Sequence, residues 1–329
     1  MAKTTKAPRK GKKISELVLT NPVVTLADGI TSEKLSSIFF DVTKFTHQPE
    51  PLYRLDSKGH RYYYKFDEND NPVFFTSVTT MIKNTLPTSP QLIKWMADRG
   101  SEDSKAEAEE RAHYGTFLHV ECAELLINGK YDLNKLQSKL EAYATVHKIT
   151  VRTGWVDDLK KDVLAFAQFM IDTNFKPLAI EICLYHPTDN YAGAIDIVGE
   201  LDWKKERIRA IVDIKSGRKG FYETHEIQLK AYQEMWNLHF PDTMVEKVFN
   251  WSPKDFRGTT PTYNFKDQTE SRNAEKLPYL VALAKIEDSK RTNMVTIIGG
   301  NIDLLKGLSG NVSELTFIDL IKKRNEPPK

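Results

Sequence analysis

The stretch 191-YAGAIDIVGELDWKKERIRAIVDIKSG-217 decides how this chain is read. Two apolar, β-branched runs, Tyr191 to Trp203 and Arg207 to Lys215, are parted by the polar residues Lys204, Lys205 and Glu206, which is the pattern of a β-hairpin. Yet Asp196 interrupts the first run, and the triplet Asp213-Ile214-Lys215 closes the second. Strand side chains alternate between faces, so Asp213 and Lys215 share one face and Ile214 takes the other. If the polar turn pairs the two strands, Asp196 is expected close to Asp213 across that face. Two carboxylates about 4 Å apart repel by roughly 4 kcal/mol at an effective dielectric near 20. A cation between them removes that cost. Hard oxygen donors favour Mg²⁺ or Mn²⁺, with the backbone carbonyl of Ile214 as a further donor.

Lys215 then stands as a point charge beside whatever the cation holds. A phosphodiester fits, because its hydrolysis needs an activated water, a Lewis acid on the phosphate oxygens and positive charge against the transition state. By itself an Asp-x-Lys triplet equally fits a buried ion pair on a sheet. The weight falls on the set: Gly193-Ala194-Ile195-Asp196, the hairpin spacing and the helix that follows gather acidic groups on one sheet face, a mark of a site.

Outside the hairpin, the segment from Pro51 to Ile82 has aromatic and β-branched runs broken by Ser-Lys-Gly and Asn-Asp-Asn-Pro, the punctuation of an antiparallel meander. Ser89-Pro90 opens a helix, with serine as cap and proline in the first turn. A second helix is expected from about Glu102 to Asn128-Gly129, and a third over Trp155 to Phe175, where Trp155, Leu159, Val163, Phe166, Ala167 and Met170 recur at helical spacing. Strands resume after Lys176-Pro177. The hairpin is followed by a helix with Ile227, Ala231, Met235 and Leu238 on one face, then by a strand in MVEKVFNW. Hairpin, crossover helix and returning strand make a mixed α/β sheet. A helix near Leu277 to Ala284, a strand MVTIIG and a last helix SELTFIDLIKKR complete the expectation.

The chain of 329 residues carries 47 Lys and Arg against 45 Asp and Glu, a net charge of only +2. That balance implies neither a general polyanion binder nor an acidic, disordered chain. Two cysteines, Cys122 and Cys183, are too few for a disulfide framework or for a four-cysteine zinc or iron-sulfur site. No apolar run approaches the roughly 20 residues that cross a bilayer, and no secretory signal opens the chain. The acid-free basic run MAKTTKAPRKGKK reads as a solvated tail, a weak DNA attractor or a transit peptide.

In this order Gly115-Thr116-Phe117-Leu118-His119, Glu181, Gly193 to Asp196, Asp213-Ile214-Lys215, and Gln228 with Tyr232 resemble the PD-(D/E)XK nucleases, in particular their RecB-like exonuclease branch. The resemblance spans about Thr76 to Trp251. It implies an α/β fold with a restriction-endonuclease-like core, a mixed central sheet flanked by helices, and an N-terminal meander and helical elements. It implies that His119, Asp196, Asp213 and the Ile214 carbonyl hold Mg²⁺ or Mn²⁺, that Lys215 positions the water and stabilises the transition state, and that Glu181 supports metal-bound waters. Gln228 and Tyr232, four apart on a helix face, border the site. The proline of the signature is absent, with isoleucine before Asp196, a departure this branch commonly shows.

The preceding residues resemble the mitochondrial genome maintenance exonuclease and its phage and bacterial relatives, which degrade single-stranded DNA. There Ser77, Thr79, Thr80, Gly115 and Thr116 would meet substrate, with hydroxyls and amides for phosphate, and Trp95 would stack on the strand. The expected organisation is a basic tail (1–31), an N-terminal meander and helix capping the DNA site (32–100), the nuclease core (101–265) and a C-terminal extension (266–329). The expected activity is a metal-dependent deoxyribonuclease, an exonuclease on single-stranded DNA ends without an iron-sulfur cluster. An endonuclease or a catalytically silent DNA-binding module is the alternative. The expected setting is the cytoplasm of a bacterial or phage-infected cell, with the mitochondrial matrix as the alternative. A replication or recombination protein partner is left open.

Overall fold

The computed structural model describes residues 23–25, 52–57, 60–69, 71–218, 220–254 and 261–287. The basic run at the start, the strand expected in MVTIIG and the last expected helix lie outside the described residues. Strands are β1 (Val23–Thr25), β2 (Tyr53–Ser57), β3 (His60–Phe66), β4 (Pro72–Ser77), β5 (Lys130–Asp132), β6 (Lys176–His186), β7 (Tyr191–Trp203), β8 (Glu206–Ile214), β9 (Lys247–Lys254) and β10 (Thr262–Asp267). Helices are α1 (Val78–Thr85), α2 (Pro90–Arg99), α3 (Ser101–Asn128), α4 (Leu136–His147), α5 (Trp155–Asp172), α6 (Glu223–His239) and α7 (277–287).

The long strand β7 organises a mixed sheet. Its antiparallel neighbour β6 runs along one edge from Tyr191 to Glu200. The other edge is shared: β4 pairs in parallel with Tyr191 and Ala192, while β8 pairs antiparallel from Ile197 to Trp203. Between them Gly193 to Asp196 have no ladder partner on that edge, so the sheet forks there. The expected meander β2–β3–β4 joins this same sheet through β4. The hairpin turn is tighter than expected: Trp203 already pairs with Glu206, and Lys204 and Lys205 both take positive φ, as two-residue turns matched to strand twist require. From β8 the chain crosses through α6 and returns in parallel as β9, flanked by antiparallel β10.

Helices cover both faces. On one side α3 and α5 pack Leu118, Leu125, Phe166 and Phe169 against Val212, Phe249 and Trp251. On the other, α1, α6 and α7 pack Met81, Ile227, Met235, Trp236 and Leu280 against Val198, Ile211 and Val248. Leu238 departs from the expected apolar face of α6 and is exposed, Trp236 being buried instead. α4, which was not anticipated, caps the α3–α5 core with Leu136 and Leu140.

A reversal in β6 and β7 matters most. In β7, Tyr191 and Ile195 pack toward α6 whereas Ile197 and Leu201 pack toward α3 and α5. In β6, Ile180 packs toward α3 and α5 whereas Ile182 and Leu184 pack toward α6. Both strands therefore exchange faces at one rung, where Glu181 lies opposite Asp196 between the pairs Ile180↔Ile197 and Ile182↔Ile195. Glu181 has φ +51, a left-handed conformation that costs an L-residue about 1–2 kcal/mol.

Close packing at β7 leaves no room for added atoms at Gly199, where a Cβ would lie 2.4 Å from the Phe175 ring and 2.5 Å from the Lys176 carbonyl oxygen. Gly199→Ala is expected to cost about 1–3 kcal/mol, read as a lower denaturant midpoint at unaltered slope.

Candidate metal centre

The face reversal delivers two acids to α3. His119, on the third turn from the C-terminal end of α3, places Nδ1 3.7 Å from Glu181 Oε1 and 3.6 Å from Asp196 Oδ1. Its Nε2, on the other edge of the ring, lies 2.9 Å from the Ile214 carbonyl oxygen, so the imidazole stands between two carboxylates and that carbonyl. Donor atoms of His119, Glu181 and Asp196 all lie within 4.8 Å of one another. This set of hard oxygen donors and one imidazole fits a small divalent cation such as Mg²⁺ or Mn²⁺. The second oxygen of Asp196 accepts the Ile214 amide at 2.6 Å, in the place where the β7–β8 ladder would otherwise continue.

Asp213 lies beside this cluster and outside it. The ladder ends at Ile197↔Val212, and Asp213, near enough to Asp196 for that charge to raise its pKa, makes its hydrogen bonds with other partners. Asp213 is buried at 1% exposure, with Lys215 Nζ 2.9 Å from Oδ1 and 2.8 Å from Oδ2, and with Asn250 Nδ2 donating to Oδ2 at 2.7 Å. Lys215 also donates to Gln228 Oε1 at 2.9 Å, and Gln228 Nε2 donates to the Tyr232 hydroxyl at 2.7 Å. On the far side Gln268 donates to Asn250 Oδ1 at 3.1 Å. A chain of polar contacts from Tyr232 to Gln268 thus fixes Lys215 and Asp213, each partner orienting the next. Gly193 admits the Tyr232 ring, since a Cβ there would sit 2.7 Å from it.

The electrostatics follow from this placement. Burial raises the carboxyl pKa of Asp196, against the opposing pull of His119, and raises that of Asp213 against Lys215. Burial pushes the His119 imidazole down, but the carboxylates of Asp196 and Glu181 prevail and hold it up at about 9. The ring therefore carries a proton in the place a cation would take, and cation and proton compete for the same acids. His225, on the α6 face that bears Gln228, is pushed down to about 4 by burial and by the Lys215 charge.

The remaining candidates divide. Ser77 is the N-cap of α1, accepting the Thr80 amide at 3.1 Å, and the buried Thr80 hydroxyl accepts the Arg61 amide at 3.2 Å. Thr79 is exposed. Trp95 is half-buried on α2, with Arg99 5.6 Å over its ring. Gly115 brings α3 onto the loop after Lys215, 3.1 Å separating a Cβ position from Ser216 Oγ, and Thr116 is exposed. Asn250, Gln268 and His225 were not anticipated, although an asparagine amid the apolar run VFNW is a visible anomaly. A second unanticipated group pins the same loop: Arg218 reaches Asp162 Oδ1 at 2.5 Å, and the Tyr114 hydroxyl donates to Asp162 Oδ2 at 2.6 Å.

No family model matches the chain, and no curated protein matches it in sequence. Among solved structures, a protein from Eubacterium rectale provisionally named an exonuclease aligns at 10% identity over 64% of this chain and 76% of its own, with a TM-score of 0.30. LHK-Exo in complex with dAMP aligns at 11% identity over 56% of this chain and 99% of its own, with a TM-score of 0.24. Alignments this loose carry no argument about activity, which rests on the site. No helix among the described residues is long and apolar enough to cross a membrane.

Two outcomes are expected from melting experiments. Mn²⁺ at a hundredfold excess over its Kd should stabilise the protein by about 2.7 kcal/mol, and His119→Ala or Asp196→Asn should abolish the shift. Glu181→Gly should lose the shift as well, although glycine accepts the positive φ.

The raised His119 pKa fixes the sign of a pH effect. Its stabilising contribution in chelator is complete below about pH 6.5 and lost as the pH rises through about 9. The melting advantage of wild type over His119→Gln should shrink across that window.

Proposed function

We propose that the protein is a metal-dependent nuclease of the PD-(D/E)XK type, RecB-like in its motif order, that hydrolyses phosphodiester bonds in DNA and acts as an exonuclease on single-stranded ends. The observation that carries the reading is Lys215, clamped by Asp213 and Gln228, next to the group His119, Glu181 and Asp196. A structural ion pair has no use for a neighbouring pair of carboxylates gathered with an imidazole within 4.8 Å of one another. A phosphoryl-transfer site needs both halves.

Mg²⁺ or Mn²⁺ held by His119, Glu181 and Asp196, with the Ile214 carbonyl adjacent, would supply Lewis acidity at a phosphate oxygen. The protein's own groups do the rest. Lys215 brings a positive charge to the negative charge that grows on the phosphate as water attacks phosphorus and the bond to the leaving oxygen breaks. Asp213 and Gln228 restrict the ammonium to one position, and Tyr232 holds Gln228 in the orientation that presents its oxygen. Asp196 ties the metal group to the strand end bearing Lys215 through the Ile214 amide, so the two halves keep their spacing. The N-terminal meander, joined to β7 by β4, would border the bound strand, with exposed Thr79 and half-buried Trp95 as candidates for its contact. DNA replication, recombination or repair is the setting that such an activity suits.

The test is cleavage of 5′-labelled and 3′-labelled linear single strands, of duplex and of circular single strands, in Mg²⁺, Mn²⁺ or chelator. Metal-dependent laddering from one end of linear strands, with circles intact, is expected. Lys215→Ala and Asp213→Ala should each lower the rate by at least about 10²-fold, the scale of losing a preorganised charge at a transition state. Cleaved circles would make it an endonuclease, and an inert wild type with every metal would remove the nuclease reading.

A further inference from the structure

The face of α6 that serves the site does not end at Gln228. Tyr222, His225, Gln228 and Tyr232 follow at intervals of three, three and four residues and so fall in one line along the helix and its lead-in. Exposure grades along that line: Tyr232 is 4% exposed and Gln228 7%, His225 is half-buried, and Tyr222 is 63% exposed. At 1.5 Å per helical residue, Tyr222 lies about 9 Å along the axis from Gln228, whose oxygen accepts from Lys215 at 2.9 Å. An aromatic ring thus stands in solvent within a nucleotide's reach of the lysine.

The ring is also held. The Tyr222 amide donates to His225 Nδ1 at 3.3 Å, and the two rings meet edge to face at 5.3 Å and 72°. Phe221 packs on the same imidazole at 6.5 Å and 68°. Edge-on support of this kind leaves an aromatic face available for stacking. The acids of the first turn of α6 would repel a polyanion, but both are engaged. Glu223 pairs with Lys276, while Glu226 accepts from Ser271 and from Asn273 at 2.8 Å, with Lys266 3.9 Å away.

We propose that Tyr222, backed by His225, is a stacking platform for the nucleobase of a nucleotide adjoining the one whose phosphate faces Lys215. The proposal rests on the nuclease reading above and adds to it a demand for an unpaired base, since a ring face can take a base only when it is out of a duplex stack. Stacking of this kind tolerates any base, because each presents a π-face.

The test is equilibrium binding, in chelator, of a fluorescent single-stranded oligothymidylate and of the same backbone carrying abasic sites. The proteins are full-chain wild type, Tyr222→Phe, and the ringless variants Tyr222→Ala and Tyr222→Gln, with melting curves to check the fold. Wild type and Tyr222→Phe should prefer the base-bearing strand by about tenfold or more, and the ringless variants should lose most of that preference. A wild type that binds both alike, or a ringless variant that keeps the preference, overturns the platform. In either case cleavage of linear strands in Mn²⁺ leaves the nuclease reading standing. A wild type that neither binds nor cleaves overturns both.

Discussion

The rung at which Glu181 faces Asp196 is the constraint on which the rest of the structure depends. Apolar side chains on both strands leave one core and enter the other across this rung, so both faces of the sheet stay filled while two acids turn toward His119. A regular strand pair would bury those acids in one core or lose the apolar packing beside them. Left-handed backbone at Glu181 is the local cost. It is tolerated because β6 and β7 remain paired on both sides of the irregularity, and strain of this sort persists only where surrounding structure over-determines it.

The same rung explains the fork. Beyond Ile197 the carboxylate of Asp196 takes the Ile214 amide hydrogen at 2.6 Å, acting as a wedge in place of a ladder bond. A hydrogen bond to a charged acceptor contributes about 1.5–3 kcal/mol, enough to replace the backbone bond that is lost. β8 is thereby freed from β7 but still held by β9, whose Trp251 carbonyl accepts the Lys215 amide at 2.8 Å. Lys215 therefore leaves the sheet at a defined point, its ammonium held by Asp213 and Gln228 and its charge felt by Asp196 and His119.

Particular residues show how far the sequence could be read. The hairpin, the crossover helix and the returning strand were legible because their apolar periods are strong and their breaks are polar. The caps at Ser89 and Pro90 follow local rules. Leu238 and α4 escaped for opposite reasons: a residue at helical spacing was left outside the packed face, and a helix with a weak apolar stripe was drawn in by tertiary contact. Ser77 and Thr80 look like phosphate-binding hydroxyls in sequence, yet the fold uses them to cap α1 and anchor β3.

By itself the sequence determined the mixed α/β layout and singled out the residue types of the candidate site, since strand alternation and helical period are local properties of the backbone. Only the tertiary structure decided which acids gather around His119. His119 lies on a helix and Glu181 on a strand, both far along the chain from Ile214, and no local pattern encodes their distances. It also decided that Asp213 hydrogen-bonds Lys215 and Asn250 while still feeling the charge of Asp196, because the ladder stops one rung short. That stop depends on a side chain competing with backbone for an amide, a contest settled by the packing of two cores and not by the spacing of residues.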